Sequence, residues 1–60
     1  MKTMSYKISL TKDDIHADMP NDFNLGLMEA CWRADVYKKR NPTAHFIVIN
    51  ESNGDVEYET

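Results

Sequence analysis

The chain has 60 residues, a net charge of −3 and a single cysteine, so an internal disulfide is excluded. This length predicts one domain, residues 1–60, that hides only about 60% of the surface of its unfolded chain. No apolar run approaches the roughly 20 residues of a membrane span, and Met1–Ser5 has no signal-peptide core. We therefore expect a cytoplasmic protein without a membrane partner. The excess of acidic over basic residues is also unfavourable for a general nucleic-acid binder.

The first predicted element is a strand, Ser5–Thr11, in which apolar and polar residues alternate. Its apolar side is formed by Tyr6, Ile8 and Leu10. A period of two residues indicates a strand with one buried and one wet face. The next segment, Lys12–Asn21, is polar and contains a proline, so it is predicted to be a loop with at most a short helical turn.

A helix is predicted over Asp22–Arg40. The Asn21-Asp22 pair can cap its beginning, and Pro42 disfavours helical geometry in the residue before it, which ends the helix. Gly26 lies inside this range and costs about 1 kcal/mol relative to alanine. Close approach of another backbone would be a reason to keep a glycine there.

The predicted helix carries two apolar stripes on opposite sides. The first stripe contains Phe23, Leu27, Ala30, Cys31, Ala34 and Tyr37. The second contains Leu25, Met28, Trp32 and Val36. One short sheet can cover only one stripe, so the other is predicted to need a partner. The sequence leaves open which stripe packs on the sheet, and either one would form a large exposed patch for a small monomer.

The last third of the chain predicts two strands. Thr43–Asn50 is apolar on both sides, which is typical of a central strand covered on both faces. The Asn-Gly pair at 53–54 predicts a hairpin with a type I′ turn. The chain then returns as Asp55–Glu59, with Val56 and Tyr58 predicted to point inward.

These elements predict the fold class α+β in the order β-α-β-β, with a three-stranded sheet and one helix packed on one face. A right-handed crossover would make the first strand parallel to the second, and the second would lie in the centre. The alternative places the last strand in the middle of a wholly antiparallel sheet.

Few residues are candidates for chemistry. The spacing Asp14-x-His16-x-Asp18 offers ligand types suited to a divalent metal, but no distant residue except His45 could complete the set. Cys31 lies mid-helix on an apolar stripe, which favours a structural thiol over a nucleophile. The chain contains no glycine-rich phosphate loop. We therefore predict a protein that is not an enzyme and that uses no metal or cofactor.

The composition and patterning favour a non-catalytic protein-binding module, in the size class of small acidic regulators, antitoxins and phage-encoded inhibitors. The predicted interface joins the second helix stripe to an acidic rim on the last strand; its residues are Leu25, Met28, Trp32, Val36, Asp55, Glu57 and Glu59. The partner is another protein, in a homodimer or a hetero-complex. The alternative is a dimeric nucleic-acid-binding protein that uses the basic segment Lys38–Arg40.

Overall fold

The alternating segment near the start of the chain forms strand β1, Tyr6–Lys12, as predicted. It is seen in a computed structural model that describes residues 4–60, so part of Met1–Ser5 lies outside the described residues. The other elements are β2 (Ile15–Asp18), α1 (Leu27–Arg40), β3 (His45–Asn50) and β4 (Val56–Glu59). The strands form one antiparallel sheet in the order β2-β1-β3-β4. The α+β class is confirmed, but the sheet has four strands and not the three that the sequence predicts.

The additional strand, β2, lies within Lys12–Asn21, where the sequence predicts a loop. Asp13 and Asp14 have φ angles of 52° and 67° and form the two-residue turn between β1 and β2. Aspartate tolerates this left-handed region, and two positive φ angles in succession suit the twist of a hairpin. All four residues of β2 are exposed. The loop prediction is wrong because the apolar–polar alternation of Ile15–Asp18 spans only four residues inside a polar, proline-containing segment, and pairing with β1 makes these residues a strand.

The β1–β2 hairpin explains why β3 runs antiparallel to β1. Beyond β2 the chain continues along β1, where the Ile8 N–H donates to the Asp22 carbonyl (3.0 Å). Tyr6 and Leu25 then exchange backbone hydrogen bonds of 2.9 and 3.0 Å, which returns the chain to the starting end of β1. Helix α1, with 14 residues or about 21 Å, spans the sheet once, so β3 begins at the opposite end. The expected parallel pairing is therefore wrong.

Strand β3 lies between β1 and β4, which confirms the inner position that its two apolar sides predict. The alternative is wrong in placing the last strand in the middle, because β4 is an edge strand, but the wholly antiparallel sheet that it predicts is confirmed. The hairpin between β3 and β4 is confirmed, but its turn is not type I′. Only Gly54 of the Asn-Gly pair has a positive φ (78°), and its N–H donates to the Asn50 carbonyl (2.7 Å).

An irregularity in the pairing of β3 with β4 decides which β4 side chains face the helix. The register shifts between Val48 and Ile49, so that Tyr58 lies opposite Val48 and Val56 lies opposite Ile49. Successive residues of β3 point to opposite faces of the sheet. Tyr58 therefore points toward the helix, whereas Val56 does not and is 51% exposed. The prediction that both point inward is correct only for Tyr58.

Helix α1 ends at Arg40 as predicted, but it begins at Leu27 instead of Asp22. Its N-cap is Gly26, which has φ −71° and ψ 157° and supplies no side-chain hydrogen bond. A Cβ atom at Gly26 would meet nothing within 4 Å, so close backbone approach does not account for this glycine. The helix starts late because the residues before Gly26 are held along β1.

The first helix stripe is the one that packs on the sheet. Ala30 and Ala34 are fully buried, and Cys31 and Tyr37 lie half-buried beside the core. Phe23 belongs to this stripe in the sequence pattern, but it precedes the helix and is 60% exposed. The core consists of Tyr6, Ile8, Ala30, Ala34, Ala44, Phe46 and Val48.

Asp22 has a different role from the predicted helix cap. It is only 3% exposed, and its two carboxylate oxygens accept hydrogen bonds from Arg33 Nη1 (2.7 Å) and the Tyr37 hydroxyl (2.6 Å). The bond to Asp22 raises the pKa of Tyr37, because the protonated hydroxyl is the donor. A buried carboxylate needs such partners, and here they join the segment before the helix to the helix itself.

Replacing Asp22 with alanine should lower the melting temperature by roughly 10 °C, because Arg33 and Tyr37 lose a shared charged acceptor. Asp35→Ala is the matched control, since Asp35 also accepts a hydrogen bond from a tyrosine hydroxyl (Tyr58, 2.6 Å) but is exposed. The control should change the melting temperature by no more than about 3 °C. Thermal unfolding followed by circular dichroism measures both, and equal losses would contradict a special role for Asp22.

Replacing Gly26 with aspartate should stabilise the protein by about 0.5–1 kcal/mol. The backbone at Gly26 already has the extended geometry of an N-cap, there is space for the side chain, and a carboxylate there can accept from the first free N–H groups of α1. Gly26→Ala, which adds a Cβ but no acceptor, is the control. Urea unfolding should give a higher free energy of unfolding for the aspartate variant than for the alanine variant. The reverse order would show that the missing capping acceptor at Gly26 does not limit the stability of the protein.

Candidate functional site

The outer face of α1 carries an exposed row of apolar side chains. Met28, Trp32 and Val36 follow one another at intervals of four residues, and we call these three the apolar ridge. Met28 is 88% exposed and Trp32 66%, while Val36 is half-buried. Side chains four positions apart on a helix are neighbours, so the ridge is a continuous strip.

The ridge is exposed because the opposite side of the helix is the one that fits the sheet. Ala30 and Ala34 lie about half a turn from Trp32 and are fully buried. Leu25, the remaining member of the second stripe, is not on the helix. It is half-buried against the core and hydrogen-bonded through its backbone to Tyr6. The structure therefore brings together three of the four predicted apolar interface residues.

The charges beside the ridge differ between the two ends of α1. Glu29 lies in the first turn and pairs with Arg33 at 2.8 Å. The last turn contains the basic segment Lys38–Arg40. Lys38 donates to the Ala44 carbonyl (2.9 Å), whereas Lys39 and Arg40 are exposed. The ridge thus has an acidic and a basic end, both favourable for the helix dipole.

The acidic residues predicted as a rim are not grouped around the ridge. Glu59 pairs with Ile47 on the face of the sheet that α1 does not cover, and Glu57 falls at the irregularity of β4. Asp55 lies in the hairpin loop, where its carbonyl accepts from the Asn50 N–H (2.8 Å). All three acidic residues are exposed. The structure places the ridge and Glu59 on opposite sides of the domain.

The face of the sheet away from α1 contains an open groove of about 370 Å³. It is lined by Ser9, Thr11, His16, Ala17, Asp18, Ile47 and Ile49. The sequence signal for this groove is the second apolar side of β3, since the helix covers only one side. Hydrogen bonds from Ser9 and then Lys7 lower the pKa of Asp18, so this carboxylate is already paired within the sheet.

The other residues that the sequence singles out for chemistry do not have the surroundings that a reactive site needs. Cys31 is half-buried, and burial, followed by the charge of Asp35, raises the pKa of its thiol. A raised pKa reduces the thiolate needed for nucleophilic attack. Within residues 4–60, no three or more histidine, cysteine and acidic side chains are grouped to hold a metal. No helix in the same range is long and apolar enough to cross a membrane.

Comparisons with known proteins assign no relative to this chain: no family model, curated protein or solved structure gives a significant match.

Replacing Trp32 with alanine should change the free energy of unfolding by less than about 1 kcal/mol, because Trp32 lies outside the core. Ile8 is fully buried, and Ile8→Ala should cost about 2–5 kcal/mol by leaving a cavity. Urea unfolding of the two variants and the wild type gives both values. A loss for Trp32→Ala as large as that for Ile8→Ala would show that Trp32 supports the folded chain.

Proposed function

We propose that this protein is a non-catalytic protein-binding module that acts by docking the apolar ridge on a protein surface. One observation carries the proposal: Trp32, the single tryptophan of the chain, is 66% exposed at the centre of the ridge. A chain this short has little apolar surface to spare for solvent. Tryptophan and methionine are enriched at protein interfaces, and tryptophan is frequent among the residues that dominate binding energy.

The class of regulator follows by analogy of size and charge. A small acidic chain whose most exposed large apolar side chains, Met28 and Trp32, are neighbours on one helix face suits a role in which binding itself alters the activity of the partner. Antitoxins and phage-encoded inhibitors of host enzymes act in this way, and we assign the protein to that functional class in the cytoplasm.

The alternative, a nucleic-acid-binding dimer, has weaker support. Of the basic residues 38–40, Lys38 is engaged by the Ala44 carbonyl, which leaves Lys39 and Arg40 for phosphate contacts. Two such cations in this segment of each chain, together with a net charge of −3, imply few phosphate contacts and easy competition by salt. We therefore favour the protein-binding role.

A capture experiment tests the proposed function. Tagged wild-type protein should retain a protein from a nuclease-treated lysate of its native cell that also contains untagged copies of the chain. Trp32→Ala should retain at least roughly tenfold less, since loss of a central interface tryptophan commonly costs ~2 kcal/mol. Ile15→Ala is the matched control, because Ile15 on β2 is as exposed (65%) as Trp32 but lies away from the ridge.

The control variant should retain as much protein as the wild type. Capture that is seen only without nuclease treatment would favour the nucleic-acid alternative. In that case the triple change of Lys38, Lys39 and Arg40 to alanine should abolish capture from the untreated lysate. Capture that is equal for Trp32→Ala and wild type would contradict docking through the ridge.

A further inference from the structure

The residue spacing of the apolar ridge is symmetric about Trp32. Met28 and Val36 lie four residues before and after Trp32 on the same face of α1. A two-fold axis that passes through Trp32 at right angles to the helix would place Met28 of each copy on Val36 of the other. The two Trp32 side chains would meet at the axis. A surface that matches its own two-fold copy is what a symmetric dimer interface requires.

The charges at the two ends of α1 are complementary in the same arrangement. An antiparallel pair of helices places Glu29 of each copy on the same flank of the ridge as Arg40 of the other, offset by about 7.5 Å along the helix axis, a distance that the two long side chains can bridge. Lys39 adds a second exposed cation at that end. The helix dipoles also oppose each other in this orientation, whereas a parallel pair would bring like charges and like dipole ends together.

We infer that the occupant of the ridge is a second copy of this chain, bound through an antiparallel pairing of the two α1 helices. This inference rests on the proposed function and names the partner at the same site. The interface is small, since α1 has 14 residues and is about 21 Å long. One helix pair buries less than the ~800 Å² per partner of a standard interface, so we expect a dimer that dissociates in the micromolar range.

Sedimentation equilibrium on the purified full chain measures the association directly. Wild type should shift from monomer to dimer as its concentration rises through the micromolar range. Trp32→Ala should raise the dissociation constant at least roughly 30-fold, because a central interface tryptophan is lost from both copies. Ile15→Ala should dimerise like wild type, and circular dichroism confirms that each variant is folded.

A charge-exchange experiment tests the antiparallel geometry and the identity of the partner. Glu29→Arg and Arg40→Glu should each dimerise at least roughly tenfold more weakly than wild type, because each places like charges across the two-fold axis. An equal mixture of the two variants should dimerise at least as well as wild type, since both cross-copy pairs are then of opposite sign. Any effect of losing the Glu29–Arg33 pair within one chain is present in the mixture too, so only a cross-copy contact explains the recovery.

A wild-type chain that stays monomeric throughout this range would overturn the inference. So would a dimer that is unaffected by Trp32→Ala, or a mixture that dimerises no better than the separate variants. These failures are distinguishable from failure of the proposed function: a monomeric chain that still captures a different protein in a Trp32-dependent manner keeps the protein-binding role and replaces the partner.

Discussion

The close packing of Ala30 and Ala34 on the β1–β3 pair is the contact on which the rest of this structure depends. Methyl side chains let the helix approach the sheet closely, and larger residues of the sheet, such as Phe46 and Ile8, fill the space between the layers. A helix that turns its small residues inward must turn its bulky ones outward. The exposure of Trp32 is therefore a consequence of how the core is packed.

A second constraint comes from the buried carboxylate of Asp22. Both of its oxygens find donors on the helix, Arg33 and Tyr37, so the extended segment before α1 is held against the helix. The backbone of this segment is meanwhile paired with β1 through Ile8 and Tyr6. Leaving a buried charge without partners is costly, which ties the position of the helix to that of β1.

A domain of two layers has two outer surfaces, and both carry apolar side chains in this chain. The outer surface of the helix has the apolar ridge, and the outer surface of the sheet has Ile47, Ile49 and Val56. The two surfaces differ in exposure. Ile47 and Ile49 are half-buried among neighbouring strands, while Met28 and Trp32 expose most of their surface to solvent. This difference is the reason for proposing the ridge, and not the sheet face, as the docking surface.

The sequence by itself determined the local elements. The alternation around Tyr6, Ile8 and Leu10 predicts β1, the two apolar sides of 43–50 predict the inner strand β3, and the glycine at 54 predicts the final hairpin. The two opposed stripes of the helix are also visible in the sequence, and with them the expectation of a surplus apolar surface. These features are readable because they depend on periodicity within a few consecutive residues.

Only the tertiary structure decided which stripe is exposed, where the helix begins and how the strands run. The alternation within strand β2 spans only four exposed residues and does not distinguish a strand from a loop, yet its hairpin reverses the chain and makes β3 antiparallel to β1. Asp22 has the sequence features of a helix cap, but it is buried and accepts hydrogen bonds from Arg33 and Tyr37, which are more than ten positions away in the chain. The register of β4 places Glu59 on the face of the sheet opposite the ridge, which the sequence pattern does not encode. Each of these outcomes depends on contacts between residues far apart in the chain, which local periodicity does not encode.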